Sequence, residues 1–235
     1  MKRFFLDLLF PINCMVCKKI NVQNFLCNEC WSKINFITKP ACAICSHPFE
    51  YEEDLDAICG YCIREKPTYD KAISILKYDE LSKIFIHNFK YKDHLHYLDY
   101  ITKLMINLGK EVIQQADIII PVPMHHYKLL KRGYNQAALL AIKIAESYPK
   151  LEYLPQLLIK KDNKSSQAGL TKEQRLKNIK NSFKIENSLK NKIKGKKILL
   201  VDDVITTGAT MSECCRILKQ NGAEKLFVLT LAKRV

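Results

Sequence analysis

Glycine is scarce in this chain, seven in 235 residues, and there is a single tryptophan, Trp31. So little glycine excludes a collagen-like or glycine-rich low-complexity chain, and it makes each loop glycine a candidate for a required backbone conformation. No stretch approaches the roughly 20 consecutive apolar residues that a membrane-crossing helix needs, so a soluble, cytoplasmic protein is the expectation. The opening MKRFFLDLLFP has the positive end and apolar run of a signal peptide. The run is short, however, carries Asp7, stops at Pro11 and lacks a small-residue cleavage site, so it reads as a short amphipathic helix. Acidic residues are also in deficit, 24 against 38 basic ones, for a formal net charge of +14. That imbalance points to a phosphate-bearing partner, whether a small molecule, a nucleic acid or a membrane surface. A hydrophobic content of 48% excludes a disordered chain and is enough for a real core.

Cysteine, by contrast, is abundant and unevenly placed. Eight of the ten lie in the first 62 residues as four C-x2-C pairs: Cys14/Cys17, Cys27/Cys30, Cys42/Cys45 and Cys59/Cys62. A repeated two-residue gap lets two thiolates grip one metal ion from a tight turn, whereas disulfide frameworks use irregular spacings. Two structural Zn2+ ions are therefore expected. The simplest grouping is sequential, Cys14, Cys17, Cys27 and Cys30 on one ion and Cys42, Cys45, Cys59 and Cys62 on the other, with an interleaved grouping left open by spacing. All-cysteine sites with no open position hold a fold together and do no chemistry.

The texture of the chain changes near residue 66, which divides it into a cysteine-rich module at 1–66 and a second domain at 67–235. The first part has too little periodic apolar sequence to fold without metal. The second alternates apolar runs with helical patterns, the βαβ signature of an α/β domain with a mainly parallel sheet flanked by helices. Strands are expected at 72–78, 117–122, 157–160, 197–201 and 226–231, and helices at 81–89, 97–114, 135–147 and 209–220. Cys214 and Cys215 fall on the last helix, one expected in the core and one half-exposed, with no chemistry assigned.

The run from Ile198 to Thr210 carries the chemistry. Asp202 and Asp203 stand at the end of an apolar strand, directly before the loop Thr206, Thr207, Gly208, which opens a helix at Ala209 and Thr210. Backbone N–H groups at a helix start attract an anion, glycine permits close approach, and the hydroxyls add donors, so the loop is a phosphate site. Two carboxylates at the carboxyl end of a parallel strand suit ribose hydroxyls or a hydrated Mg2+. No lysine follows Gly208, which excludes a P-loop.

The string VDDVITTGAT resembles the PRPP-binding motif of type I phosphoribosyltransferases, PRPP being phosphoribosyl diphosphate. Further stretches narrow the resemblance to the ComF (ComFC) competence family: Ile120 to Val122 with Pro123, Lys131 to Gln136, Ser166 to Leu170, Gln174 to Asn178, and Phe183. Leu8 to Pro11 and Lys90-Tyr91 match as well, so the resemblance covers essentially the whole chain. It implies a double zinc ribbon followed by a type I phosphoribosyltransferase fold. It further implies that Thr206 to Thr210 cradle the ribose 5′-phosphate and that Asp202 and Asp203 contact the ribose and organise Mg2+. Pro123 to Gly133 would be the pyrophosphate loop with Arg132 as its charge partner, and 161–180 a mobile flap containing Gln167 and Arg175. His126 and Lys128 stand where another basic residue is expected, and His125 and His126 read as exposed loop histidines. The chain ends at Val235 just after the last strand, with no acceptor hood, which weakens the expectation of a transferase.

Between residues 160 and 197 there are thirteen Lys or Arg against three acids, Asp162, Glu173 and Glu186. Such a stretch is either a solvated surface or a track for single-stranded DNA, with Tyr134, Phe183 or Trp31 as stacking rings. The ComF resemblance implies handling of incoming DNA during natural transformation. Three readings follow: a DNA-uptake factor that retains a PRPP-binding domain and works with DNA-uptake proteins, an active phosphoribosyltransferase (a glycosyltransferase) on an unidentified base or amine, and a PRPP or nucleotide sensor.

Overall fold

The computed structural model describes residues 13–20, 25–51, 53–54, 56–89, 97–161 and 181–235. The expected N-terminal helix, Lys90-Tyr91, Gln167 and Arg175 lie outside these.

A five-stranded sheet organises the second part of the chain. Its strands are β1 (Lys71–Lys77), β2 (Ile118–Pro121), β3 (Glu152–Tyr153), β6 (Lys197–Ile205) and β7 (Lys225–Lys233), in the order β1-β7-β6-β2-β3. Every pairing in it is parallel. The continuous apolar runs of β6 and β7 follow from this, since a central parallel strand is covered on both faces. Leu199, Val201, Leu229 and Leu231 belong to one core, with α3 (Glu80–Phe89), α4 (Leu98–Gln115) and α6 (Gln136–Ser147). Ile198, Leu200, Leu226 and Val228 belong to the other, with α7 (Ala209–Gln220). Within the sheet, the buried Ser74 and Thr230 stand in register on β1 and β7 and join their hydroxyls at 2.8 Å, so neither loses a partner on burial.

A second, antiparallel pair, β4 (Leu158–Lys160) and β5 (Phe183–Ile185), lies against α7. Lys161 donates its N–H to the carbonyl of Ser182 at 2.7 Å, so the two ends of the intervening segment meet. The buried Glu213 of α7 accepts from the Asn181 N–H at 2.6 Å and from Arg216 at 2.7 Å.

Three expectations need correction. β6 continues through Ile205, four residues beyond the strand read from the apolar run, so both acids are strand residues. A helix, α5 (His126–Arg132), stands inside the expected pyrophosphate loop; its HYKLLKR sequence has no buried residue and so no apolar period to read. Cys214 and Cys215 are both fully buried, in a core that also takes in Phe183 and Ile185 of the β4–β5 pair, so neither is half-exposed.

β1 is an edge strand, and the cysteine-rich part covers it. Phe36 forms an antiparallel bridge with Leu76, Ile37 N–H donates to Ile75 O at 2.9 Å, and Lys77 N–H donates to Asn35 O at 2.8 Å. Nearer the strand start, Ala72 N–H donates to Ile44 O at 2.7 Å and Ser46 Oγ to Ala72 O at 2.6 Å. An uncovered edge would be a template for pairing with another chain.

Candidate functional site: two zinc centres and a phosphate loop

Two short helices, α1 (Asn28–Ser32) and α2 (Gly60–Arg64), each begin just after a cysteine, Cys27 and Cys59, and Cys27 Sγ accepts the Cys30 N–H. This geometry delivers the second C-x2-C pair of each module to the first. Cys14, Cys17, Cys27 and Cys30 form one group and Cys42, Cys45, Cys59 and Cys62 the other, with the sulfurs of each group within 4.8 Å of one another. The grouping is the sequential one. Cys17 and Cys27 sulfurs are 3.6 Å apart, as are those of Cys45 and Cys59. A tetrahedral zinc ion with bonds of about 2.3 Å sets sulfurs about 3.8 Å apart, so both groups fit Zn2+ with all four positions filled by protein. The ten cysteines are free thiols with no disulfide.

The thiols are tuned for a cation. Burial acts to raise the Cys14 thiol, but the backbone N–H groups of Cys27, Cys17 and Val16 outweigh it and bring the pKa down to about 6. Cys42 is brought to about 7 in the same way, by Cys59, Cys45 and Ile44. Burial, then the neighbouring Cys27 and Cys45 sulfurs respectively, push Cys30 and Cys62 up. Each group thus holds one thiol that loses its proton more readily than a free cysteine, the form in which sulfur binds a metal ion.

The loop expected to bind phosphate follows the carboxyl end of β6. Asp202 and Asp203 are half-buried, and Asp202 Oδ1 accepts the Asp203 N–H at 2.8 Å. Gly208 has φ of +73° and is the N-cap of α7, and only Ile205 Cγ2, at 4.0 Å, would meet a Cβ built there. Thr206 and Thr207 are exposed, Ala209 and Thr210 are half-buried, and the first turn of α7 holds no acid. The Ala209 N–H donates to Thr207 Oγ1 at 3.5 Å, and the exposed Thr206 and Thr207 stand at a helix start next to two carboxylates.

The neighbouring strand β2 leads into the second expected element. Its Pro121 is in register with Val201, one residue before the acid pair. Asn135 holds the return of this loop, its Nδ2 donating to Val122 O at 3.0 Å and its Oδ1 accepting the Ala137 N–H at 3.0 Å. Arg132 ends α5 with Gly133 behind it at φ +81°, and its Nη1 donates to Gln136 Oε1 at 3.3 Å. His125 is not a free loop histidine: its Nδ1 accepts the Tyr127 N–H at 3.3 Å and caps α5.

One residue at this site escapes sequence reasoning as a member of it. Lys160 was grouped with the basic stretch, yet it is half-buried, with Nζ 5.3 Å from the Phe183 ring centroid. Burial first, then Lys128, lowers its pKa, while Cys214 and Asp202 pull it back up. β4 therefore carries a partly desolvated cation that feels the charge of Asp202. The only available signal was its place at the end of an apolar strand.

The comparisons agree with both halves. A model of the double zinc ribbon domain matches residues 5–63, and one of the phosphoribosyl transferase domain matches residues 90–234. Competence protein F of Haemophilus influenzae is 30% identical over 95% of this chain and 98% of its own length. Competence protein ComFC of Bacillus subtilis is 26% identical over 84% of this chain and 79% of its own. The DNA utilization protein YhgH of Escherichia coli K12 is 24% identical over 88% of this chain and 90% of its own. With two four-cysteine zinc centres, a parallel sheet and an acid pair before a helix-opening glycine loop, the chain belongs to the ComF family, a double zinc ribbon joined to a phosphoribosyltransferase-type domain.

Proposed function

We propose that the β6–α7 loop binds PRPP with Mg2+, and that the protein uses this domain while handling single-stranded DNA in natural transformation. The observation that carries the first half is the conjunction of two half-buried acids with the left-handed Gly208 at the opening of α7. In this reading the N–H groups and hydroxyls of Thr206 to Thr210 take the 5′-phosphate. Asp202 and Asp203 take the ribose hydroxyls and the hydrated cation, a donor set of hard oxygens that suits Mg2+. When bound, Mg2+ neutralises charge on the diphosphate. Arg132 with Gly133, and Lys160 from β4, complete the cationic surround, while Gln167 and Arg175 are assigned to the flap by family resemblance alone.

The names of the relatives support the DNA half, and the excess of basic residues between 160 and 197 gives it a physical means. Titration calorimetry with PRPP and Mg2+ tests the first half, and binding of single-stranded DNA at two salt concentrations tests the second. Absence of PRPP binding with Mg2+ present removes the loop assignment. Binding of PRPP without any salt-dependent affinity for single strands removes the DNA reading.

A further inference from the structure

α5 follows the carboxyl end of β2, whose last residue pairs with Val201 just before the acid pair, and it buries none of its seven residues. Isolated helices shorter than about 12–15 residues are marginal in water, so a helix that packs on nothing depends on its ends. Both ends are held, one by His125 Nδ1 and the other by Gly133 at φ +81°. Its own charges work against it. Lys128 stands three and four residues before Lys131 and Arg132, so the three cations crowd one side of the helix, and HYKLLKR contains no acid to offset them. Among the described residues neither Lys128 nor Lys131 forms an ion pair, and Arg132 donates only to the neutral Gln136. Lys128 also repels Lys160, which extends the same cationic surface onto β4.

The apolar side chains of α5 are the second observation. Tyr127 is 70% exposed and Leu130 is 69% exposed. With Lys131 they share one face, because residues three and four apart on a helix are neighbours, while Lys128 and Arg132 share the next. A ring and an aliphatic side chain in water, bordered by unpaired cations, define the occupant by charge. A polyanion relieves the repulsion, whereas a basic or apolar peptide leaves it in place. A small anion such as diphosphate would match the cations and leave Tyr127 and Leu130 bare. A lipid surface needs more apolar area than two side chains supply, since interfacial binding grows with that area. A single strand meets both requirements, with phosphates for the lysines and an unstacked base for the ring. Duplex DNA keeps its bases stacked and offers Tyr127 no face.

We propose that the exposed face of α5 docks single-stranded DNA, with a base on Tyr127 and Leu130 and the adjoining phosphates on Lys131 and Lys128. The proposal rests on the DNA reading above and gives it a contact outside residues 160–197. Zinc-loaded full-length protein is titrated into labelled oligothymidylate and into an abasic strand of the same length, with anisotropy as the readout. Tyr127→Ala weakens thymidylate binding about five- to a hundredfold and leaves abasic binding, Tm and zinc content unchanged. Tyr127→Phe retains most of the affinity. Lys131→Gln weakens both strands and lowers the log–log salt slope by roughly one unit. Salt-dependent binding that neither Tyr127→Ala nor Lys131→Gln alters overturns the α5 surface and spares the DNA reading. No binding of either strand overturns both. An equal loss on the two strands in Tyr127→Ala shows that the ring supports the helix and stacks no base, which overturns the proposal. Vesicles of phosphatidylserine and phosphatidylcholine are the last arm: sedimentation with them that Leu130→Ala abolishes, with thymidylate binding untouched, assigns the face to a lipid surface and also overturns it.

Discussion

Replacing Gly208 by alanine separates backbone strain from ligand contact. The residue sits at φ +73°, where an alanine costs roughly 1–2 kcal/mol, and the new methyl would meet nothing nearer than Ile205 Cγ2 at 4.0 Å. Strain is therefore the whole cost in the ligand-free protein, with no added clash. For a domain of this size, about 1 kcal/mol lowers Tm by roughly 2–4 °C. Gly195 supplies the control: it has φ of +67°, its Cβ position also meets nothing within 4 Å, and it lies in a turn before β6, at the opposite end of that strand from the acids. Gly195→Ala and Gly208→Ala should then lose similar Tm without ligand. Only Gly208→Ala should lose PRPP affinity, by about tenfold or more, since the methyl stands where the phosphate approaches and removes at least one charge-assisted hydrogen bond worth about 1.5–3 kcal/mol. Differential scanning fluorimetry gives the first quantity and calorimetry with PRPP and Mg2+ the second. Equal affinities for Gly208→Ala and the parent protein would refute the assignment of this loop, and an equal loss in Gly195→Ala would show that the effect is global.

Asp203→Asn should weaken PRPP binding markedly by calorimetry while leaving ligand-free Tm and single-strand affinity nearly unchanged; unchanged PRPP affinity would remove this acid from the site. Burial, then Lys128, depresses the Lys160 pKa below the unfolded value of about 10.5, so the unfolded chain binds the extra proton between the two values and stability from this group rises with pH across that window. Lys160→Met should accordingly raise Tm at pH 7, with the gain shrinking toward pH 10, and should weaken PRPP binding; a lower Tm at pH 7 would refute the desolvation argument. Metal analysis of protein purified under reducing conditions should find two Zn2+ per chain, and a value near one would mean that one cysteine group has another role. If residues 160–197 contact phosphates, removing Lys161, Lys164 and Lys172 together should flatten the log–log salt dependence of single-strand binding by roughly one unit per lost contact; an unchanged slope would place the contacts elsewhere.

What could be read from the sequence was whatever is local. The C-x2-C gaps place two sulfurs on one turn, and the run from Ile198 to Thr210 spells strand, acids, loop and helix start in order, so the two cysteine groups and the strand–loop–helix around Gly208 were visible before any fold. Lys160 was not, because its role depends on β4 pairing with β5 across more than twenty intervening residues, and on Phe183 and Asp202 meeting it from different elements. The helix α5 was hidden because it buries nothing, and the burial of both Cys214 and Cys215 because the core around them is closed by elements distant in sequence.

The order of the sheet also explains why the zinc ribbon is part of the domain and not an appendage to it. β1 enters at one edge and pairs only with β7, so its other side carries N–H and C=O groups that need partners. Residues 35–37 and 44–46 supply them, and Lys233 at the end of β7 donates to the carbonyl of the zinc ligand Cys45 at 2.6 Å. The first ribbon is tied in as well, through Asn88 of α3, whose Nδ2 donates to Met15 O at 2.6 Å. Each metal thus fixes a short stretch of chain that closes the sheet. It follows that the cysteines act on the distant phosphate loop only by holding β1, β7 and α3 in place, and that a four-sulfur zinc ion with no open position is suited to that task and to no chemistry of its own.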